Sequence, residues 1–265
     1  MKIGVCGFIS GKNVDGSEFD FLPAAQAAGF DYVEFPLSTV AGLDEGEYKA
    51  VLAQVRESSI PVEACNVMYP GSLRLTGAAI DSKTVRAYLE LAYSRAAELG
   101  AKVLVFGSAG ARNVPAGFPL EEAWLQLVAM LRAAGPIAAK NGLTICIEPL
   151  NMAESNIIQT AAEGFTLAKL VNHPQVRLLV DYYHMARDGE DCGIIRTARG
   201  MVQHAHFADP DGRAYPGENK PRFNDFFGAL KDIGYSGRVS LEAGFQNFSK
   251  EASRACAIMR ALAAP

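Results

Sequence analysis

Short apolar runs alternate with longer amphipathic stretches from one end of the chain to the other. Residues 103–106 (Val-Leu-Val-Phe), 145–147 (Ile-Cys-Ile) and 178–180 (Leu-Leu-Val) are apolar at every position, whereas residues 81–100 carry apolar side chains at helical spacing. A run that is apolar throughout is typical of a strand buried on both faces of a parallel sheet. Apolar residues at every third or fourth position are typical of an amphipathic helix. The pattern therefore predicts strands and helices in alternation.

The alternation resolves into eight strand–helix units of about 30 residues each, the size expected of a (β/α)8 barrel. The predicted strands are 2–8, 32–37, 61–68, 102–107, 143–148, 176–181, 201–207 and 238–242. The predicted helices are 19–29, 44–59, 81–100, 120–141, 160–172, 191–199, 223–233 and 250–264, and Pro136 is expected to kink or divide the fourth. We therefore predict α/β class, with a single TIM-barrel domain over residues 1–265.

Polar side chains end four successive predicted strands. This distribution argues against a doubly wound open sheet, in which such residues gather at one switch point. The strand-end residues are Glu148, Asp181, His206 and Glu242. In a parallel barrel the carboxyl ends of the strands meet at one rim, so the four side chains are expected to lie together. A single carboxylate after a strand is more often a helix cap or a salt-bridge partner. Four suitable residues on consecutive strands favour a metal site.

The chemistry of this set favours a divalent cation bound by oxygen and nitrogen. Three carboxylates and one imidazole suit Mn²⁺, Mg²⁺ or Co²⁺ better than a closed structural zinc site. Carboxylates that share one mouth repel each other, and a divalent cation removes that repulsion. His204 shares a strand face with His206, but we expect it to be an interior histidine and not a ligand.

Composition narrows the class of protein. The chain is 49% hydrophobic with a net charge of −4, which gives no electrostatic reason to bind nucleic acid or an anionic membrane. No apolar run is long enough to span a bilayer, and the N-terminal run is broken by glycine too soon for a signal peptide. The five cysteines have long spacings that suggest neither disulfides nor a zinc-thiolate site. We predict a cytoplasmic protein with no membrane or nucleic-acid partner.

Four motifs carry a resemblance to a known family: Ile147-Glu-Pro-Leu-Asn151, Asp181-Tyr-Tyr-His184, His204-Ala-His206 and Leu241-Glu242. In these motifs the chain resembles the xylose-isomerase-like TIM barrels, in the sugar isomerase/epimerase branch that includes D-tagatose 3-epimerases and hydroxypyruvate isomerases. The resemblance implies an isomerase of carbohydrate metabolism that acts on a small ketose or a related sugar. It implies one divalent ion, Mn²⁺ before Mg²⁺, Co²⁺ or Zn²⁺, and no nucleotide cofactor.

The same resemblance implies roles for individual residues. Glu148, Asp181, His206 and Glu242 match the metal ligands, and the two glutamates match the pair that moves a proton on and off the carbon next to a carbonyl. Such chemistry needs two carboxyl groups of separately tuned acidity. Glu154, His184 and Arg213 match positions that hold substrate oxygens. For Arg213 the spacing departs slightly from the family pattern, so an exposed loop residue remains the alternative.

Other residues near the expected rim leave more than one interpretation open. Glu34 closes the second predicted strand and is expected to support the site, although it could also line the mouth. Cys6, Phe8, Cys65 and Asn66 fit either the opposite wall of the mouth or the core. The glycine-rich loop 107–115 carries Arg112 and could bind an anion, but loop geometry is the favoured reason for its glycines.

Alternative functions also remain open at this stage. A hydroxypyruvate isomerase or a keto-inositol dehydratase would use a similar site, and a non-catalytic sugar-binding barrel is the alternative from another class. DNA-repair endonucleases of the same superfamily bind three zinc ions, which need more histidines than the four present here. The sequence does not reveal the sugar, its phosphorylation, the reaction subtype, the native metal or the oligomeric state, although a homo-oligomer is compatible with it.

Overall fold

Eight parallel strands close into a barrel in the computed structural model, which describes residues 1–218 and 220–264. The barrel strands are β1 (Lys2–Cys6), β4 (Tyr32–Pro36), β5 (Val62–Asn66), β6 (Val103–Phe106), β7 (Thr144–Ile147), β8 (Val176–Asp181), β9 (Val202–Phe207) and β10 (Arg238–Leu241). Their order around the barrel is β1-β10-β9-β8-β7-β6-β5-β4, with β4 paired again to β1. The predicted (β/α)8 barrel is therefore confirmed.

Helices follow the strands and surround the barrel. They are α1 (Phe21–Ala27), α2 (Leu37–Gly42), α3 (Glu45–Glu57), α4 (Ser82–Leu99), α5 (Ala109–Arg112), α6 (Leu120–Lys140), α7 (Ala161–Val171), α8 (Tyr182–Arg187), α9 (Gly193–Thr197), α10 (Pro221–Asp232) and α11 (Phe248–Ala263). None of these helices, within the described residues, has the length and apolar character needed to cross a membrane.

Local sequence signals set several helix ends. Asp44 precedes α3 and forms a capping box with Glu47, because its side chain accepts from the Glu47 N–H while Glu47 accepts from the Asp44 N–H. The Asp81 side chain accepts from the backbone of the first turn of α4, and Thr160 does the same for α7. Gly100 ends α4 in the left-handed conformation (φ 104°) that glycine adopts without strain.

Side chains of the barrel strands divide between two layers. Alternate residues point to the helices, where they form the large core together with the apolar faces of the helices. The others point into the barrel and form a separate small cluster of Tyr32, Ala64, Val103, Val105, Cys146 and Leu179. This division is the one expected for a strand with a two-residue side-chain period. The barrel interior is therefore packed below the rim.

Short elements and one proline differ from the sequence prediction. A hairpin of β2 (Ser10–Lys12) and β3 (Glu18–Asp20), together with α2, α5 and α8, did not appear in the predicted pattern. These segments are too short to establish a hydrophobic period. Pro136 lies within α6, and the helix continues past it to Lys140. Pro136 therefore does not divide the helix, and only about one turn follows it.

Candidate metal centre and active site

The four predicted ligands converge at the carboxyl-terminal rim of the barrel. Glu148 follows β7, Asp181 ends β8, His206 lies in β9 and Glu242 follows β10. One ligand atom from each residue lies within 4.8 Å of the ligand atoms of the other three. The barrel register produces this grouping, because Asp181 pairs with His206 across β8 and β9, and the Glu242 N–H donates to the Phe207 carbonyl at 3.0 Å.

Three atoms of this group are buried polar atoms for which the described residues provide no hydrogen-bond partner: Glu148 Oε1, Asp181 Oδ2 and His206 Nδ1. His206 Nδ1 lies 2.8 Å from Glu148 Oε1 and 3.5 Å from Glu242 Oε2, but without hydrogen-bond geometry to either. Burial of unpaired polar atoms is costly. Carboxylate oxygens and an imidazole nitrogen that share one point form a donor set that fits a divalent cation.

A buried carboxylate beneath the rim fixes which nitrogen of His206 faces the carboxylates above it. Glu34 Oε1 lies 2.9 Å from His206 Nε2, and Glu34 Oε2 lies 2.9 Å from His204 Nε2. An ionised carboxylate only accepts hydrogen bonds, so both Nε2 atoms carry hydrogen. In its neutral form, the His206 ring therefore presents its Nδ1 lone pair to the rim, as metal-binding histidines with a carboxylate partner do.

The Glu34 carboxylate is satisfied on all sides within the barrel. Ser240 Oγ donates to Glu34 Oε2 at 2.5 Å, and Tyr32 OH lies 2.7 Å from Ser240 Oγ. Because the Ser240 hydrogen faces Glu34, the Tyr32 hydroxyl must donate to Ser240. Burial opposes ionisation of Glu34, but the charges and hydrogen bonds of His206 and His204 outweigh it and hold the pKa of Glu34 well below its usual range. Glu34 thus occupies a supporting position behind the site.

The carboxylates also change the acid–base properties of one another and of His206. Burial lowers the pKa of His206, but Glu34 and Glu148 outweigh it and raise that pKa well above its usual value. Burial raises the pKa of Asp181, and the neighbouring Glu148 raises it further. For Glu242, His206 and Arg213 outweigh the effect of burial and lower the pKa to about 2. The rim is thus strongly attractive to positive charge.

The three residues expected to hold substrate line one cavity at the rim, next to the predicted metal ligands. Glu154, His184 and Arg213 border a space of about 270 Å³ together with Glu148 and Glu242. Arg213 Nη2 donates to Glu242 Oε2 at 2.5 Å, and Arg213 Nη1 lies 3.4 Å from Glu154 Oε2. The Arg213 guanidinium also lies over the Tyr183 ring, 4.6 Å from its centroid. The structure therefore places Arg213 in the cavity and not on a remote surface.

Sequence reasoning overlooked the contacts of three residues that shape this cavity. Asn66, at the end of β5, donates to Glu242 Oε1 at 3.1 Å. A Cβ atom on Gly107 would collide with Glu148 Oε2, so the absence of a side chain there makes room for the glutamate. Asn151 contacts both Glu154 and His184. Asn66 lies inside the predicted strand 61–68 and was a candidate for the opposite wall, whereas β5 ends at Asn66 in the structure. Asn151 lies three residues after the predicted strand 143–148, which was its only available signal.

The residues whose roles the sequence left open have distinct environments. Arg112 is fully buried, and its guanidinium donates to the Phe106 carbonyl at 2.7 Å, so it is not exposed to an external anion. Burial lowers the pKa of Arg112 to about 10. Cys65 packs in the core between strands and helices. Cys6 lies beneath the rim, with its sulfur within 4.8 Å of ligand atoms of Glu34 and His206.

Comparison with known proteins gives consistent matches over most of the chain. A model of the family described as xylose isomerase-like TIM barrel matches residues 22–262. The L-ribulose 3-epimerase of Mesorhizobium japonicum is 28% identical over 254 residues, which cover 94% of this chain and 82% of that protein. The D-psicose 3-epimerase of Agrobacterium fabrum is 28% identical over 230 residues, with coverage of 84% and 78%.

A solved structure shows the same fold. A D-psicose 3-epimerase crystallised in the presence of D-fructose superposes with a TM-score of 0.84 at 21% identity, and the match covers 100% of both chains. The relatives matched by sequence include several ketose 3-epimerases, and the present chain is an enzyme of the isomerase class. The converging residues at the rim are thus its candidate active site.

Proposed function

The chain belongs to the xylose isomerase-like TIM barrel family, and we propose that it is a divalent-metal-dependent ketose 3-epimerase. The observation that carries this proposal is the convergence of Glu148, Asp181, His206 and Glu242 at one rim of the barrel, within 4.8 Å of one another. Relatives named as epimerases of L-ribulose and D-psicose support a ketose as the substrate.

We assign Glu148, Asp181, His206 and Glu242 as ligands of one divalent ion, with Mn²⁺ as the native metal. The three buried atoms without hydrogen-bond partners among the described residues support this assignment. When bound, the ion stabilises the negative charge that develops on the ketose oxygens as the carbon-bound proton leaves. His206 contributes Nδ1, because Glu34 holds the hydrogen on Nε2.

Glu148 and Glu242 are assigned as the acid–base pair. They follow β7 and β10, which lie three places apart in the ring of eight strands and therefore nearly across the mouth. A substrate between them would present opposite faces of its reacting carbon to the two carboxyl groups. One ionised carboxylate takes the proton from C3, and the C–H electron pair moves toward the carbonyl. The other, protonated carboxyl group returns a proton to the opposite face, which inverts C3 without any net oxidation.

The charges around the cavity favour a neutral sugar over an anionic substrate. The cavity and its metal ligands contain four carboxylates, from Glu148, Glu154, Asp181 and Glu242, against one arginine, Arg213. Arg213 is already paired with Glu154 and Glu242, and Arg112 is buried against backbone carbonyls. A substrate carboxylate or phosphate would find no unpaired cation among these side chains. This argues against hydroxypyruvate and against sugar phosphates.

The small cavity agrees with a small substrate. Its volume of about 270 Å³ lies slightly below the range of pockets that hold drug-sized ligands. We further propose that the enzyme works in the cytoplasm. All five cysteines lie in the described part of the chain as free thiols, which suits a reducing compartment.

The direct test is proton exchange with solvent. Metal-loaded protein would be incubated in D₂O with free ketopentoses and ketohexoses, their phosphates, keto-inositols and hydroxypyruvate, and followed by NMR. We expect deuterium to enter C3 of at least one free ketose, together with its C3 epimer. Exchange with hydroxypyruvate alone, or transfer of the proton to the neighbouring carbon, would contradict the proposal. Sugar binding by calorimetry without any exchange would instead identify a binding barrel.

A further inference from the structure

Asn151 contacts two residues on the substrate side of the cavity, although the proton-transfer steps do not use it. It lies in the loop after β7 and is only 1% exposed. Its side-chain nitrogen Nδ2 lies 2.9 Å from Glu154 Oε1 and 2.8 Å from His184 Nδ1. One buried amide therefore joins Glu154 to His184, two side chains that come from the loop after β7 and from α8.

The orientation of this amide follows from its contacts. The backbone N–H of Ala153 donates to Asn151 Oδ1 at 3.1 Å, which identifies that atom as the carbonyl oxygen. The other atom is then the NH₂ group, as its contact with the Glu154 carboxylate also requires. One of its hydrogens faces Glu154, and the second faces His184.

The side-chain amide and the backbone N–H of Asn151 together determine where the hydrogen of His184 lies. His184 Nδ1 also accepts a hydrogen bond from the backbone N–H of Asn151 at 3.1 Å, so two donors point at the same ring nitrogen. A ring nitrogen that accepts a hydrogen bond carries no hydrogen, and the hydrogen of the neutral ring must be on Nε2. His184 Nε2 is buried without a hydrogen-bond partner in the described residues, 3.5 Å from Asp181 Oδ2.

We propose that Asn151 is a positioning residue that holds His184 as an Nε2–H donor and Glu154 as an acceptor for the hydroxyl groups of the substrate. This inference rests on the proposed function for the identity of the ligand. In the described part of the chain, Asn151 makes no hydrogen bond to Glu148, Asp181, His206 or Glu242. A change at Asn151 is therefore expected to alter substrate binding more than metal binding.

The first test is the tautomer of His184, read by ¹⁵N NMR in the 265-residue chain loaded with diamagnetic Mg²⁺. The wild-type ring is expected to carry its hydrogen on Nε2. In Asn151→Asp the new carboxylate can only accept, so it competes with the backbone N–H of residue 151 for Nδ1, and the fraction of rings with hydrogen on Nδ1 should rise. Asn156→Asp is the matched control, because it makes the same change in the same loop, where Asn156 contacts Val114 and not His184. A wild-type ring with hydrogen on Nδ1 would overturn the inference without any variant.

The second test separates a positioning role from a structural one. We expect Asn151→Asp and Asn151→Ala each to raise KM for the responsive ketose by about tenfold or more, since each leaves a buried polar partner unpaired. Their Mn²⁺ affinity by calorimetry should fall by much less than tenfold, because Asn151 reaches the ligand Asp181 only through His184. Unchanged KM, or a parallel loss of metal affinity, would contradict the inference.

The outcomes also separate this inference from the proposed function. If no ketose binds or reacts, the proposed function fails, but comparison of the His184 tautomer in the wild type and in Asn151→Asp still decides whether the Asn151 side chain directs His184 Nε2–H into the cavity. If a ketose reacts and both variants behave as the wild type, the function stands and the role of Asn151 is wrong.

Discussion

Two adjacent groups of polar side chains lie inside the barrel and at its mouth. They differ in how many of their polar atoms have a hydrogen-bond partner. Inside, Glu34 is fully buried and accepts from His204, His206 and Ser240. At the mouth, Glu148 Oε1 and Asp181 Oδ2 lack hydrogen-bond partners among the described residues. His206 belongs to both groups, through Nε2 below and Nδ1 above.

The difference indicates separate contributions to stability and function. The inner group pairs one buried carboxylate with several donors, and removing a partner from such a network leaves a buried group unpaired. The mouth brings like charges together, which is unfavourable for the folded protein without a cation. Active sites commonly contain such unfavourable local interactions, which lower the stability of the folded protein. Substitutions in the mouth should therefore reduce activity more than stability. Substitutions inside should reduce stability, and those that remove a direct partner of His206 should also reduce metal binding.

The largest expected effect is that of Glu148→Gln and Glu242→Gln on turnover. Each amide keeps the size of the side chain but cannot exchange a proton, so kcat should fall by about 10³-fold or more. The melting temperature of the metal-free protein should change little, because the repulsion removed is offset by the loss of a charged partner of His206 and, in Glu242→Gln, of Arg213. Kinetics with the responsive ketose and thermal unfolding measure the two effects.

Glu57→Gln is a suitable control, since Glu57 lies at the exposed end of α3, far from the mouth. It should change neither quantity. A near-normal rate in Glu148→Gln or Glu242→Gln would exclude the two-carboxylate mechanism, and a large loss of stability in both would remove the distinction between mouth and interior.

An intermediate effect is expected for Glu34→Gln on metal affinity. The amide can accept from one histidine only, and its NH₂ group then faces a second donor. His206 loses its fixed tautomer, and Mn²⁺ affinity should fall by about 10–100-fold, as for other partners of metal-binding histidines. Calorimetric titration with Mn²⁺ provides the measurement.

Glu63→Gln is the matched control for that substitution. Glu63 is a partly buried carboxylate on the neighbouring strand β5, paired with Lys2 and Arg238 away from the rim. Its replacement should reduce stability without changing metal affinity. Equal Mn²⁺ affinity in Glu34→Gln and the wild type would show that Glu34 does not orient His206.

The smallest expected effect is that of Tyr32→Phe. This change removes the hydroxyl that donates to Ser240 and leaves the bonds of Glu34 in place. We expect a loss of about 1 kcal/mol in the free energy of unfolding, the usual worth of one buried hydrogen bond. Tyr88→Phe removes a comparable bond outside the barrel, to the Met68 carbonyl, and should cost a similar amount.

Metal affinity distinguishes the two tyrosine variants from Glu34→Gln. Neither should lower Mn²⁺ affinity by more than about twofold, because neither hydroxyl touches His206. A loss in Tyr32→Phe as large as that in Glu34→Gln would mean that the inner group acts on His206 as one connected unit.

The sequence predicted the barrel and the convergence at its rim because both depend on short-range signals. An apolar run that ends in Glu148 or Asp181 marks a buried strand and its polar end, and parallel strands bring such ends together. The short helix α8, which carries His184, had no such signal because it contains too few residues to show a period.

Contacts between residues far apart in the sequence could not be predicted from such local signals. Glu34 bonds to His206, 172 positions away, and nothing around either residue specifies the other. The collision that excludes a side chain at Gly107 depends on the position of Glu148, and the approach of Arg213 to Glu242 depends on loop conformation. These contacts depend on how the closed barrel brings distant residues together. The local pattern predicts that a barrel forms but not which side chains meet inside it.

The most direct test of the central claim compares one protein sample before and after removal of its metal. The readout is incorporation of solvent deuterium at C3 of the responsive ketose, with metal content checked by elemental analysis. We predict no exchange after chelation, full recovery with about one equivalent of Mn²⁺ per chain, and no recovery in Glu148→Gln. Full exchange in protein verified as metal-free would contradict the account, because the four converging residues would then not act through a bound cation.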